Sequence, residues 1–219
     1  MKNFVLKALV VGAAVSVALG EEVVFENAWD STTSMDAGSF SDQSQILAGS
    51  FDLLAAADVS SASWRGTMFS RDPLDTGDTW SFDVVFYSDN AGVPDAVLGS
   101  TSVIADVLDT GLDKSDIWGL ERVYEFSAEF ADVSLAAGTT YWFSVVNTGQ
   151  SSTFRWNLGT DANYSGVWSD TGGTTWRDAA DRQPLNFILN AETIPLPTSS
   201  ALAGLGLLGL GLRRRRESI

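Results

Sequence analysis

The sequence predicts an all-β fold, a single antiparallel β-sandwich of the jelly-roll type, on the basis of three observations. Apolar and polar residues alternate with a period of two in several segments, as half-buried strands require. Stretches rich in Gly, Pro, Asn and Asp separate these segments at short intervals. Helical spacing is scarce, because only residues 50–59 could form two helical turns, and they fit a strand and a loop equally well.

The predicted strands follow one another along the middle of the chain. Residues 79–87 and 122–130 carry large apolar or aromatic side chains at every second position, so each strand should have one buried face. Residues 140–147 are aromatic or β-branched on both faces, which predicts a central strand. Residues 153–158 and 185–189 again alternate and complete the predicted set. Short strands separated by turns in this way are typical of sandwiches.

The composition limits the chemistry that this chain can perform. It contains no Cys and no His, which excludes Ser-His-Asp and Cys-His catalysis and metal sites built on imidazole or thiolate. We therefore expect a protein that is not an enzyme. The remaining catalytic alternative is a pair of carboxylates, as in a glycosidase, for which three residues are available: Glu121, Glu125 and Glu129.

The charge is strongly acidic. The whole chain has a net charge of −15, and residues 21–193 hold seven basic and twenty-seven acidic residues, a net charge of −20. A surface of this sign repels nucleic acid and anionic lipid, so no nucleic-acid partner is expected.

Clustered aspartates indicate Ca²⁺ as one candidate cofactor. Calcium prefers several hard oxygen ligands at irregular spacing. Four aspartates crowd a predicted loop of eleven residues: Asp106, Asp109, Asp113 and Asp116. Their spacing does not match the EF-hand pattern. The alternative is that these carboxylates belong to solvated turns.

Two tryptophans indicate a candidate glycan-binding surface. Trp168 and Trp176 flank a turn-rich stretch, and exposed indole rings can stack on sugar rings as on other flat apolar surfaces. Tyr164 and Arg177 lie close by in sequence and would complete the contact. The alternative is that both tryptophans fold back and cap one end of the sandwich.

Both ends of the chain indicate export. Residues 1–20 combine the basic residues Lys2 and Lys7, an apolar stretch and a final Ala-Leu-Gly, which predicts a signal helix that is cleaved before Glu21. The uncharged residues 194–212 would be about 28 Å long as a hydrophobic helix, close to the thickness of a hydrocarbon core. The chain is thus predicted to contain three parts: a signal peptide at 1–20, a β-sandwich domain at 21–193 and a sorting or transmembrane segment at 194–219.

The C-terminal segment combines three features. It begins with Pro195-Leu196-Pro197, continues with an apolar span, and ends in four consecutive arginines, Arg213, Arg214, Arg215 and Arg216. Arginines resist crossing a bilayer, so they should stay cytoplasmic while the domain is exported. This organisation resembles that of bacterial proteins with a PEP-CTERM sorting signal, in the variant form written VPLPA. The alternative is a plain C-terminal anchor that is never processed.

The resemblance implies a partner and a location. An exosortase-like membrane protease-transpeptidase would read the signal. The protein would be anchored transiently in the inner membrane and would reach the cell surface or the extracellular space after processing.

A second resemblance covers about half of residues 21–193. The residues are Tyr87-x-Asp89-Asn90-x-Gly92-x-Pro94 and, later, Leu135-x-Ala137-Gly138-Thr139-x-Tyr141-Trp142. This pair of motifs resembles an exported bacterial module that is often found beside PEP-CTERM tails. Both motifs are also explained as turns, because Asn and Gly tolerate positive φ and Pro fixes its own φ.

The sequence therefore predicts a non-enzymatic exported protein of the cell surface or extracellular matrix, sorted through its C-terminal signal. The first alternative is a module that binds exopolysaccharide, with or without Ca²⁺. The second alternative is a glycosidase with a pair of carboxylates.

Overall fold

The computed structural model describes residues 21–29, 39–40, 45–68, 79–116, 119–149, 154–178 and 184–192. These ranges belong to one compact unit, Glu21–Glu192, and contain strands, turns and bends but no helix. Within them, no helix is long and apolar enough to cross a membrane. The predicted signal helix and C-terminal hydrophobic helix lie outside the described residues.

Twelve strands make up the unit. In chain order they are β1 Glu21–Asn27, β2 Ser39–Phe40, β3 Ile46–Asp52, β4 Ala57–Met68, β5 Trp80–Asp89, β6 Pro94–Asp116, β7 Gly119–Leu135, β8 Thr140–Asn147, β9 Phe154–Trp156, β10 Gly166–Ser169, β11 Arg177–Asp178 and β12 Phe187–Glu192.

The five predicted strands correspond to β5, β7, β8, β9 and β12, so the period-two pattern located them correctly. Residues 50–59 contain no helix. They form the end of β3, a loop at 53–56 and the start of β4, which is the strand-and-loop alternative.

The strands form one curled antiparallel sheet. Its order is β1-β12-β4-β7-β6-β5-β8-β3-β10-β11, with β9 paired to β4 and to β2. The 23-residue strand β6 pairs with β5 as far as Ala105 and with β7 from Asp106 onward. The prediction of an antiparallel all-β domain is confirmed. Two separate sheets are not confirmed, because β6 joins the two halves into one hydrogen-bonded path.

Aromatic side chains fill the inner face of the curled sheet. Phe187 of β12 lies at the centre, with its ring centroid 4.9 Å from Phe25, 4.9 Å from Phe143 and 6.0 Å from Trp156. Rings at these separations contribute beyond the area they bury. The Phe51 ring of β3 lies 5.9 Å away, so five strands meet on one fully buried ring.

Gly66 of β4 shows how closely this face is packed. A Cβ atom at this position would collide with the Phe154 ring and with the carbonyl oxygen of Arg155. Glycine therefore allows β9 to lie directly against β4 and to bring Phe154 and Trp156 into the core.

We expect Phe187→Ala to lower the free energy of unfolding by about 3–5 kcal/mol, because it removes a fully buried ring and leaves a cavity. Denaturant titration followed by Trp fluorescence would measure this loss. The matched control is Ile104→Ala on the outer face, where the side chain is 67 % exposed and a change within about 0.5 kcal/mol is expected. Equal losses in the two variants would contradict the assignment of Phe187 to the centre of the core.

Candidate functional site

Charged and polar side chains cover the outer face of β4 and β7. Strand alternation places them there, because the residues between them point into the aromatic core. Arg65 of β4 is paired with Glu125 of β7, with an Nη2–Oε2 distance of 2.7 Å. Glu121 accepts a hydrogen bond from the Thr67 hydroxyl and faces the buried guanidinium of Arg155 at 3.4 Å. This face therefore carries a network of ion pairs across three strands.

A groove of about 120 Å³ opens beside this network. Carboxylate, guanidinium, hydroxyl, amide, indole and aliphatic groups line it; the lining includes Glu26, Trp29, Ser63, Arg65, Glu125 and Asn186. The Arg65 guanidinium lies over the Trp29 ring, 5.7 Å from its centroid. The Asn186 amide is used structurally, since its Oδ1 accepts from the Arg65 backbone N–H and its Nδ2 donates to the Asn27 carbonyl. The indole N–H of Trp29 is buried and has no hydrogen-bond partner among the described residues.

The glycosidase alternative requires two carboxylates close together across a cleft. Glu121, Glu125 and Glu129 occupy every fourth position of β7 and face the same side. Four residues of a strand span about 13 Å, which exceeds the separations of about 5–5.5 Å and 6.5–9.5 Å used by retaining and inverting enzymes. Glu121 and Glu125 are in addition each engaged by an arginine.

The four aspartates predicted to bind Ca²⁺ lie on strand β6 rather than on a loop. Asp106 is exposed, whereas Asp109 falls on the opposite face of the strand. Asp109 and Asp113 both bind Arg122, at 2.8 Å and 3.0 Å. The side chain of Asp116 lies outside the described set. Among the described residues, no group of three His, Cys, Asp or Glu side chains is placed to hold a metal.

The Asp109 carboxylate is neutralised within the protein. It accepts a hydrogen bond from the Gly111 N–H at 2.7 Å. This bond and the Arg122 guanidinium hold the pKa of Asp109 below its usual value. The hydrogen bonds of Arg122 to Asp109 and Asp113 raise the pKa of Arg122. Asp109 and Arg122 therefore form an ion pair within the protein. It lies where the register of β6 against β7 shifts, between Asp109 and Asp113.

The structure separates the two tryptophans of the predicted glycan surface. Trp168 points to the inner face and packs against the main core, with the Arg177 guanidinium 5.1 Å from its ring centroid. Trp176 lies on the outer face, edge-on to Tyr87 at 5.5 Å. Tyr164 is half-buried and packs edge-on against Phe25 at 5.0 Å. Burial, with the Asp52 carboxylate next in importance, raises the pKa of Tyr164. The four residues do not form one platform.

A second, smaller core lies on the outer face of β3, β5, β8 and β10. Its buried members are Ala48, Val85, Tyr87, Trp142 and Val167, and Trp176 packs against them from the segment after β10. The Trp142 indole N–H donates to Asp89 at 2.8 Å. This part of the outer face is thus covered by the chain itself.

The residues that follow β12 carry a recognisable signal. A family model described as the PEP-CTERM protein-sorting motif matches residues 193–216, directly after the last strand ends at Glu192. The chain carries a PEP-CTERM sorting motif. Such motifs imply export and sorting by an exosortase system. Exosortase, which recognises them, is a membrane protein. No curated protein gives a significant match to the chain.

The PEP-CTERM motif contains all of the predicted sorting residues, from Pro195, Leu196 and Pro197 to Arg213–Arg216. These positions, like the predicted boundary at residue 20, lie outside the described residues. The motif covers the C-terminal segment only.

The sequence pattern does not predict the groove at Trp29. Its residues come from four segments that are distant along the chain, so no local pattern links Trp29 with Arg65, Glu125 and Asn186. Arg65 and Glu125 come together because the register of β4 against β7 places them opposite each other. That register depends on pairings that a single sequence does not reveal.

We expect Tyr87 to make the domain less stable at high pH. Burial raises the pKa of Tyr87 from 10.0 to about 12. Between these pH values the unfolded state loses the phenolic proton first. The contribution of Tyr87 to the free energy of unfolding is therefore fully present below pH 10 and is lost as the pH rises toward 12. A pKa difference of this size corresponds to roughly 2–3 kcal/mol.

The measurement is denaturant unfolding across this pH range for the wild type and for Tyr87→Phe, which keeps the ring and removes the titrating group. The variant should lose less stability than the wild type. Parallel losses in both proteins would show that the Tyr87 hydroxyl is not buried as described.

Proposed function

We propose that this chain is a non-enzymatic protein of the cell surface or extracellular matrix, exported and then sorted through its C-terminal segment. The observation that carries the proposal is the PEP-CTERM match at residues 193–216, which begins where the folded sheet ends at Glu192. Residues 194–212 hold the protein in the inner membrane before processing, with Arg213–Arg216 on the cytoplasmic side. An exosortase-like protease-transpeptidase then separates the domain from this anchor.

The construction of the domain supports a passive role outside the cell. The chain has no cysteine, so the fold depends on packing and is indifferent to the redox state of its compartment. Its acidic surface favours solubility. In the outer network, Glu121 and Glu125 are each paired with an arginine, Arg155 and Arg65 respectively.

We expect the mature protein from its native host to lack Arg213–Arg216, because processing removes the membrane segment. Intact-mass and C-terminal peptide mass spectrometry would measure this. Replacing both Pro195 and Pro197 with Ala should leave the unprocessed chain in the membrane fraction, whereas Pro184→Ala, which lies before the last strand, should be processed normally. A mature wild-type protein that still ends at Ile219 would exclude processing and leave a simple anchor.

A second candidate function is binding of a neutral polysaccharide, with or without Ca²⁺. The groove at Trp29 favours it, because it combines an indole ring with carboxylate and hydroxyl groups that can accept and donate hydrogen bonds to sugar hydroxyls. The acidic surface disfavours an anionic polymer. This groove supports glycan contact better than Trp168 and Trp176, which face opposite sides of the sheet.

We expect Trp29→Ala to weaken binding of the purified protein to a neutral exopolysaccharide by about two- to tenfold, the loss corresponding to one aromatic contact. Isothermal titration calorimetry would measure it, with and without added Ca²⁺. Trp168→Ala serves as the matched control and should bind as the wild type does. If the wild type shows no heat of binding, or if Trp29→Ala binds as well as the wild type, the groove is not a glycan site.

A further inference from the structure

The first and last strands of the domain are neighbours in the sheet. Glu21, the first residue of β1, is the pairing partner of Glu192, the last residue of β12. Partners in antiparallel strands have Cα atoms about 5 Å apart. The segment that precedes residue 21 and the segment that follows residue 192 are therefore attached to the domain at almost the same place.

Two loops lie at this same end of the sheet. The pairing of Val59 with Ala191 and of Ala57 with Leu135 brings the start of β4 and the end of β7 next to the end of β12. The β3–β4 loop, residues 53–56, and the β7–β8 turn, residues 136–139, consequently lie side by side. The Gly138 N–H donates to the Leu53 carbonyl at 2.9 Å and ties the loops together.

These loops are uncharged and present one leucine to solvent. Their sequences are Leu53-Leu54-Ala55-Ala56 and Ala136-Ala137-Gly138-Thr139. Leu53 is buried in the core, whereas Leu54 is 98 % exposed. Ala55, Ala56, Ala136 and Ala137 are exposed around it. Because Leu53 anchors the loop, the exposure of Leu54 follows from the fold and not from a loose end.

We propose that this apolar tip, residues 53–56 and 136–139, docks on the lipid surface of the membrane while the C-terminal segment holds the domain there. The inference rests on the proposed anchoring through residues 194–212, which begin two residues beyond β12. The tether keeps this end of the domain near the bilayer and raises the effective concentration of the tip there. A single leucine would not recruit a free domain, so processing of the tail also releases the tip.

Acidic residues around the tip limit the depth of contact. Glu22 and Asp132 are exposed and Asp58 is half-buried near the same end. Carboxylates stay hydrated and are repelled by anionic lipid. Leu54 should therefore enter the interfacial region only, and the contact should be weaker on anionic than on zwitterionic lipid.

The chain contains no cysteine, so single labelling sites can be introduced cleanly. The experiment uses the full chain reconstituted with phosphatidylcholine vesicles, carrying a nitroxide spin label at Leu54→Cys. The matched control is Leu112→Cys. Leu112 is exposed and lies near the C-terminal end of β6, away from the apolar tip. Collision of each label with oxygen and with a water-soluble nickel complex reports its depth, and co-flotation with the vesicles reports anchoring.

We expect both labelled proteins to float with the vesicles, and only the label at position 54 to become several-fold less accessible to the nickel complex. Adding phosphatidylglycerol should reduce this protection. Flotation with equal, water-like accessibility at both positions would overturn docking while leaving the anchor in place. Absence of flotation would overturn the anchor and docking together.

A further variant separates lipid contact from folding. Leu54→Asp alters a fully exposed side chain and should leave the near-ultraviolet circular dichroism unchanged. A label at Ala137→Cys should be protected from the nickel complex in the otherwise unaltered chain and lose this protection in the Leu54→Asp background. Protection that persists in that background would show that the tip does not bind through Leu54.

Discussion

Burial of aromatic side chains on one face of a curled sheet is the interaction on which the rest of this structure depends. The chain has no cysteine, so no disulfide holds the fold. Phe187 and Phe143 are at the centre of the ring cluster and are fully buried. Such a cluster can be enclosed only if the sheet curls, and β6 permits this because one half pairs with β5 and the other with β7. The curl and the core therefore require each other.

The outer face of the sheet has a polar part and an apolar part. Over β4 and β7 it is polar, and the ion pairs Arg65–Glu125 and Arg155–Glu121 compensate charges that strand alternation directs outward. Over β5 and β8 it is apolar, and the segment after β10 covers it with Trp176. Within the described residues, the groove at Trp29 lies on the polar part of this face.

The placement of the chain ends relates the fold to the sorting signal. β12 is an inner strand, paired with β1 on one side and β4 on the other. Its alternate residues Phe187, Leu189 and Ala191 belong to the core, so the folded sheet extends to the first residue of the PEP-CTERM match. The boundary between the sheet and the sorting motif is therefore sharply defined, and the apolar tip lies at the same end of the domain.

The sequence by itself determined the positions of five of the twelve described strands, together with the sorting signal. Both are local properties: side chains alternate along each strand, and the PEP-CTERM motif is contiguous in residues 193–216. Only the tertiary structure decided that β6 joins the halves into one sheet, that Asp106 and Asp109 face opposite sides, and that Trp168 and Trp176 are separated. The tertiary structure also decided the contact between Trp29 and Arg65 and the pairing of Glu21 with Glu192. These outcomes depend on register between distant strands, and a shift of one residue would reverse the face of every side chain.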